Sequence, residues 1–89
     1  MISELQITVV KPDKGLVAFA SLVLNNSLYI GAMGVYKRLD GEGYRITYPT
    51  KNIGNKQLNI YYPINKELGR LIEHVVTVEC HKLFARSDY

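Results

Sequence analysis

One cysteine, three prolines, two phenylalanines and no tryptophan occur among 89 residues. With Cys80 as the single thiol, no intrachain disulfide is possible, core packing has to hold the fold, and a reducing cytoplasm is the expected compartment. Long apolar runs are also missing. Leu16 to Leu24, interrupted by Ser21, falls well short of the ~20 residues that span a bilayer, so no membrane insertion is expected. Met1 to Gln6 carries no basic run leading into an apolar core, so no export signal is expected. No P-loop, nucleophile elbow or HExxH pattern occurs, and no cofactor or metal is expected. Acidic residues are absent from Gly43 through Lys66, the first afterwards being Glu67.

That acid-free stretch contains Arg45, Lys51 and Lys56, set among Tyr44, Tyr48, Tyr61 and Tyr62 and punctuated by Pro49 and Pro63. Positive charge beside aromatic surface suits phosphate attraction and base stacking. The plainer alternative is a solvated pair of edge strands with a loop, since exposed lysine and arginine are the rule on protein surfaces. The totals allow one domain with a modest core, and 47% hydrophobic against 21% charged residues is a globular balance. A net charge of +3 tolerates a nucleic-acid partner without requiring one.

Along the chain, Ile2, Leu5, Ile7 and Val9 recur with a period near two and predict a first strand. Lys11 to Gly15 supplies a turn through Pro12, Asp13 and Gly15. Leu16 to Leu24 is apolar almost throughout, which predicts a central strand covered on both faces. Asn25 and Asn26 tolerate the left-handed region and predict a tight hairpin. Leu28 to Leu39 predicts a third strand, bent where Gly31 and Gly34 mark a bulge or a close backbone approach. A turn at Asp40 to Gly43 leads into a fourth strand over Tyr44 to Thr50, which Pro49 ends or confines to an edge. Lys51 to Gln57 reads as a loop, and Leu58, Ile60 and Tyr62 as a short fifth strand stopping at Pro63. Asn65 is a helix cap, with Glu67 in the first turn. Leu68, Leu71, Ile72, Val75, Val76 and Leu83 then follow helical spacing opposite Arg70, Glu73, His74, Thr77 and His81, and this clean polar stripe outweighs the β-branched run Val75 to Val78.

The expected fold is therefore α+β: an antiparallel meander of about five strands followed by one C-terminal amphipathic helix. It forms a single domain over residues 1–84 with a loose tail over 85–89. Open sheet edges would be closed by pairing across a twofold axis. Catalytic candidates are weak. His74 and His81 stand two helical turns apart, roughly 10 Å by the helix rise, too far to share one metal ion. Cys80 reads as a small packed side chain, and Asp40 and Glu42 as turn residues.

Gly43, Tyr44, Arg45 and Ile46 with Pro49, Thr50 and Lys51, followed after a Gly/Asn loop by Ile60, Pro63, Ile64 and Asn65, resemble the SpoVG family of bacterial septation and sporulation regulators. Ile2 to Thr8, the Gly15 turn, Ala18 to Leu24 and the Asn25 hairpin extend the resemblance over nearly the whole chain. It implies a small α+β protein that dimerises through its sheet, binds DNA and RNA and regulates gene expression and division without catalysis. Lys51 matches the family's basic residue after Pro and Ser or Thr, the part associated with nucleic-acid contact. The chain departs from the family at Asn52, where a second basic residue is usual, and at Gly31 and Ala32, where a His and Asp pair is typical. Three readings follow, of which an enzyme is the third and distant one. In the first, a homodimer binds DNA or RNA through Arg45, Lys51 and Lys56, with Lys66 and Arg70 extending the patch and Tyr48 and Tyr61 as stacking candidates. Tyr48 also fits the core by alternation. In the second, an exposed strand edge takes up a protein partner without any nucleic acid.

Overall fold

The computed structural model describes residues 1–39 and 43–86, with side chains through Phe84. The expected turn residues Asp40 to Glu42, and the tail from Ser87 on, lie outside the described residues. Three antiparallel hairpins build the main sheet: β1 (Ile2–Asp13), β2 (Leu16–Leu24), β3 (Leu28–Lys37) and β4 (Tyr44–Thr47), in that spatial order. A separate two-stranded sheet follows, β5 (Thr50–Ile53) with β6 (Lys56–Asn59), and the chain closes with helix α1 (Lys66–Arg86). The class is α+β, with antiparallel strands first and one helix last.

The turns follow from local chemistry. Lys14 and Gly15, at φ 53° and 92°, join Asp13 to its partner Leu16, which confines the first turn to two residues and lets β1 run on through Pro12. Pro12 is tolerated because β1 is an edge strand. Asn25 and Asn26 both take a left-handed φ, and the Ser27 amide donates to the Leu24 carbonyl at 2.9 Å, so the expected tight hairpin forms. Strand β3 is bent as expected. Its register against β2 slips between the Ala20–Met33 and Leu22–Ile30 pairs, with Ala32 at φ 60° inside the slip. Gly31 there is also a close approach, since a Cβ on it would stand 2.8 Å from the Tyr29 hydroxyl.

The helix lies on one face of the sheet and packs against both edge strands, β1 and β4. Ala18, Ala20 and Leu22 of β2, Ile30, Met33 and Val35 of β3, and Ile46 of β4 meet Ile72, Val76 and Cys80, which recur every fourth residue along α1. Each fully buried large aliphatic contributes about 1.5–3 kcal/mol. The helix start is capped as expected: the Leu68 amide donates to Asn65 Oδ1 at 3.0 Å.

Four further expectations are corrected. Strand β2 is central but covered on one face only, because one helix cannot cover both; Phe19 on the other face is 42% exposed. The predicted loop Lys51–Gln57 is a hairpin, and the predicted fifth strand does not continue past Asn59. Gly54 takes φ 62° while Asn55 does not turn left-handed, the pattern of a two-residue type II′ turn, and the Gly-Asn pair is a hairpin signal. Ile60 leaves the ladder to donate its amide to the Pro49 carbonyl at 2.8 Å, which closes the base of the hairpin. Finally, the helix runs through Arg86, past the boundary expected at residue 84.

Candidate nucleic-acid interface

The β5–β6 hairpin is an arm. Every residue from Thr50 to Ile60 is exposed, and none belongs to the buried core. Cross-strand partners share a face, so the pairs Lys51–Leu58 and Ile53–Lys56 place both lysines diagonally on one side with two aliphatics. The opposite side carries Thr50, Asn52, Gln57 and Asn59, and Gln57 Nε2 donates to Thr50 Oγ1 at 3.0 Å. Asn52 therefore points away from the lysine face, where alternation would also have sent a basic residue.

The five predicted cations do not form one patch. Arg45 lies on the uncovered face of the main sheet, because its neighbours Tyr44 and Ile46 point into the helix side: Tyr44 meets His81 edge-on at 5.2 Å and stacks on Phe84 at 5.8 Å. The Arg45 guanidinium instead sits 5.1 Å above the Tyr36 ring. Lys66 and Arg70, one turn apart on the exposed side of α1, lie on the other side of that sheet. Arg70 borders a shallow depression with Glu73, His74 and Thr77, so acid is interleaved with the cations there. The structure thus brings Lys51 and Lys56 together, pairs Lys66 with Arg70, and leaves Arg45 separate.

Tyr48 and Tyr61 are not free stacking platforms. Both are half-buried, their rings meet edge-to-face at 5.9 Å, and the Tyr61 hydroxyl donates to the Gly31 carbonyl at 2.5 Å. Burial, with the nearby Tyr48 and Tyr29 phenols adding to it, pushes the Tyr61 phenol up to about 12. Among the described tyrosines, the exposed ones are Tyr29 and Tyr62, at 70% and 56%. They flank an apolar groove of about 280 Å³ lined also by Leu28, Tyr48, Tyr61 and Ile72. Residue composition alone does not separate these tyrosines, because Tyr61 and Tyr62 differ only in which side of an irregular segment they face.

Cys80 is wholly buried on the helix seam, and burial, reinforced by Glu79, raises its thiol to about 11, far from a nucleophile's range. Among the described residues, no three His, Cys, Asp or Glu side chains gather as a metal site. Among the same residues, no helix is long and apolar enough to cross a membrane. No family model matches the chain, and no curated protein matches it in sequence.

Proposed function

We propose that the protein is a small nucleic-acid-binding regulator of the SpoVG type, a cytoplasmic homodimer that meets the phosphate backbone of DNA or RNA through the β5–β6 arm. The observation that supports this most directly is the arm itself: a wholly exposed hairpin with Lys51 and Lys56 on one face, in a stretch free of acidic residues from Gly43 through Lys66. Such an arm adds nothing to the core, and two unopposed cations on a protruding ribbon attract a polyanion at long range. Lys66 and Arg70 extend the field more weakly, because Glu67 and Glu73 share their helix turns. The resemblance supplies the regulatory setting, septation or sporulation. Open edges at β1 and β4 favour a dimer formed by strand pairing.

A second reading, a module that takes up a protein partner at a strand edge, draws on the twelve-residue edge strand β1 and the apolar groove beside Tyr29 and Tyr62. A salt titration separates the two. Mixed-sequence DNA and RNA should bind with an affinity that falls as salt rises, and Lys51→Ala with Lys56→Ala should flatten the log–log slope by roughly 0.7–0.9 per lysine. No binding at low salt, or a slope indifferent to both changes, favours the protein-binding module.

A further inference from the structure

Strand β4 pairs only with Gly34 to Lys37, so the other half of β3, Leu28 to Met33, has no strand on that side among the described residues. The irregular segment 60–63 runs there instead, tied down where the Tyr61 hydroxyl donates to the Gly31 carbonyl. A side-chain bond fills less space than a strand, and the apolar groove beside Tyr29 and Tyr62 remains, floored by Ile30, Leu68 and Ile72. The arm is rooted in the same wall. Tyr48 and Tyr61, which line the groove, stand two residues before Thr50 and two after Asn59. The ladder from the Thr50–Asn59 pair to the Ile53–Lys56 pair carries the tip about 10 Å beyond that root, and among the described residues none of the arm lines the groove. Yet the arm's lysine face also holds Ile53 and Leu58, and Ile60 is exposed at its base. These aliphatics belong to no core, and they offer a nucleic acid neither charge nor a plane for a base.

We infer that two copies of the chain exchange arms, the apolar side chains of each arm lying in the groove of the other copy. The inference rests on the homodimer proposed above and assigns its contact to arm and groove rather than to strand pairing alone. Because root and groove adjoin, one twofold axis beside Tyr61 satisfies both contacts and closes the assembly at two copies. Leu28, Tyr29 and Tyr62 of the groove and Ile53, Leu58 and Ile60 of the arm are between 47% and 70% exposed. At roughly 100 Å² each they supply about 600 Å² of apolar contact per copy, and an ordinary polar rim brings that to the ~800 Å² a side of a standard interface. Charge does not oppose the contact, since the helix turns beside the groove alternate Lys66 and Arg70 with Glu67 and Glu73. The arm's lysines can lay their stems along the contact and keep their ammonium groups at its rim, within reach of phosphate.

The test is sedimentation velocity of the full chain over a concentration series, with Tyr29→Lys in the groove and Leu58→Asp on the arm. Both residues are exposed and outside the core, and thermal melting checks that each variant folds. Either change alone should raise the dimer dissociation constant by more than about tenfold, because it spoils both contacts of a symmetric dimer. An equimolar mixture of the two variants should regain dimer. One unaltered arm then meets one unaltered groove, and the two introduced charges, of opposite sign, face each other at the second contact. A wild-type dimer indifferent to both changes overturns arm exchange, keeps the homodimer, and leaves the groove to another partner. Variants that fail to complement on mixing also overturn the exchange. Wild-type protein that stays monomeric at every concentration overturns the homodimer itself, and the exchange with it.

Discussion

Gly34→Ala tests the close packing on the uncovered face of the main sheet through stability alone. The backbone at Gly34 is not left-handed, so alanine is conformationally acceptable and only space opposes it. The new Cβ would stand 2.7 Å from Thr47 Oγ1 and 3.1 Å from Tyr36 Cε1, against about 3.4 Å for ordinary contact. The threonine can yield by rotating about χ1. The ring has less freedom, with the sheet beneath it and the Arg45 guanidinium above. Overpacking of this kind costs about 1–3 kcal/mol, and reduced freedom of the unfolded chain returns about 0.4–1 kcal/mol, leaving a net loss of about 1–2 kcal/mol. For a domain of this size the melting temperature should fall by about 5–15 °C, measurable by circular dichroism. Thr47→Ala removes the closest atom, so the double variant should recover at least ~0.5 kcal/mol relative to additivity. Wild-type stability in Gly34→Ala, or strict additivity in the double variant, would refute that packing.

Two further outcomes can be checked on the same instrument. Asn65→Ala removes the cap on the Leu68 amide and should destabilise the protein by about 1 kcal/mol, with most of the loss restored by Asn65→Asp or Asn65→Ser; a neutral Asn65→Ala would mean that the helix start contributes little. Alkaline stability provides the other. The Tyr61 phenol rises from 10.0 to about 12 and the Cys80 thiol from 9.0 to about 11, so both are neutral in the folded state where the unfolded chain already ionises. Their contribution is complete below pH 9.0 and is lost as pH climbs through 11 to 12. Tyr61→Phe should lower stability at neutral pH, since the bond to the Gly31 carbonyl is gone, and should flatten the decline between pH 10 and 12; an unchanged alkaline slope would show that Tyr61 is ionised as freely as in water.

Much of this architecture is legible in residue order, because it depends on local chemistry. Period-two apolar spacing marks β1, the Asn25–Asn26 pair accepts the left-handed turn, Gly31 marks the bend of β3, and Asn65 caps a helix whose apolar residues recur at helical intervals, whereas β4 stops at Thr47, short of the expected Thr50, which instead begins β5. The class, strands first and one covering helix last, follows from that order. What residue order leaves open is decided by contacts between distant segments. Leu16 to Leu24 is equally apolar on both sides, and only the position of one helix shows that Ala18, Ala20 and Leu22 are buried while Phe19 faces out. Tyr48, Tyr61 and Tyr62 are chemically alike, yet the Gly31 carbonyl, thirty residues from Tyr61, claims one of them as a hydrogen-bond donor. The five cations are separated because alternation in β4 turns Arg45 away from the helix that bears Lys66 and Arg70, while the Gly54–Asn55 turn folds Lys51 and Lys56 onto one side of an arm. Turns and caps are set by the preferences of a few adjacent residues, whereas a shared surface depends on which faces the packed sheet and helix leave uncovered.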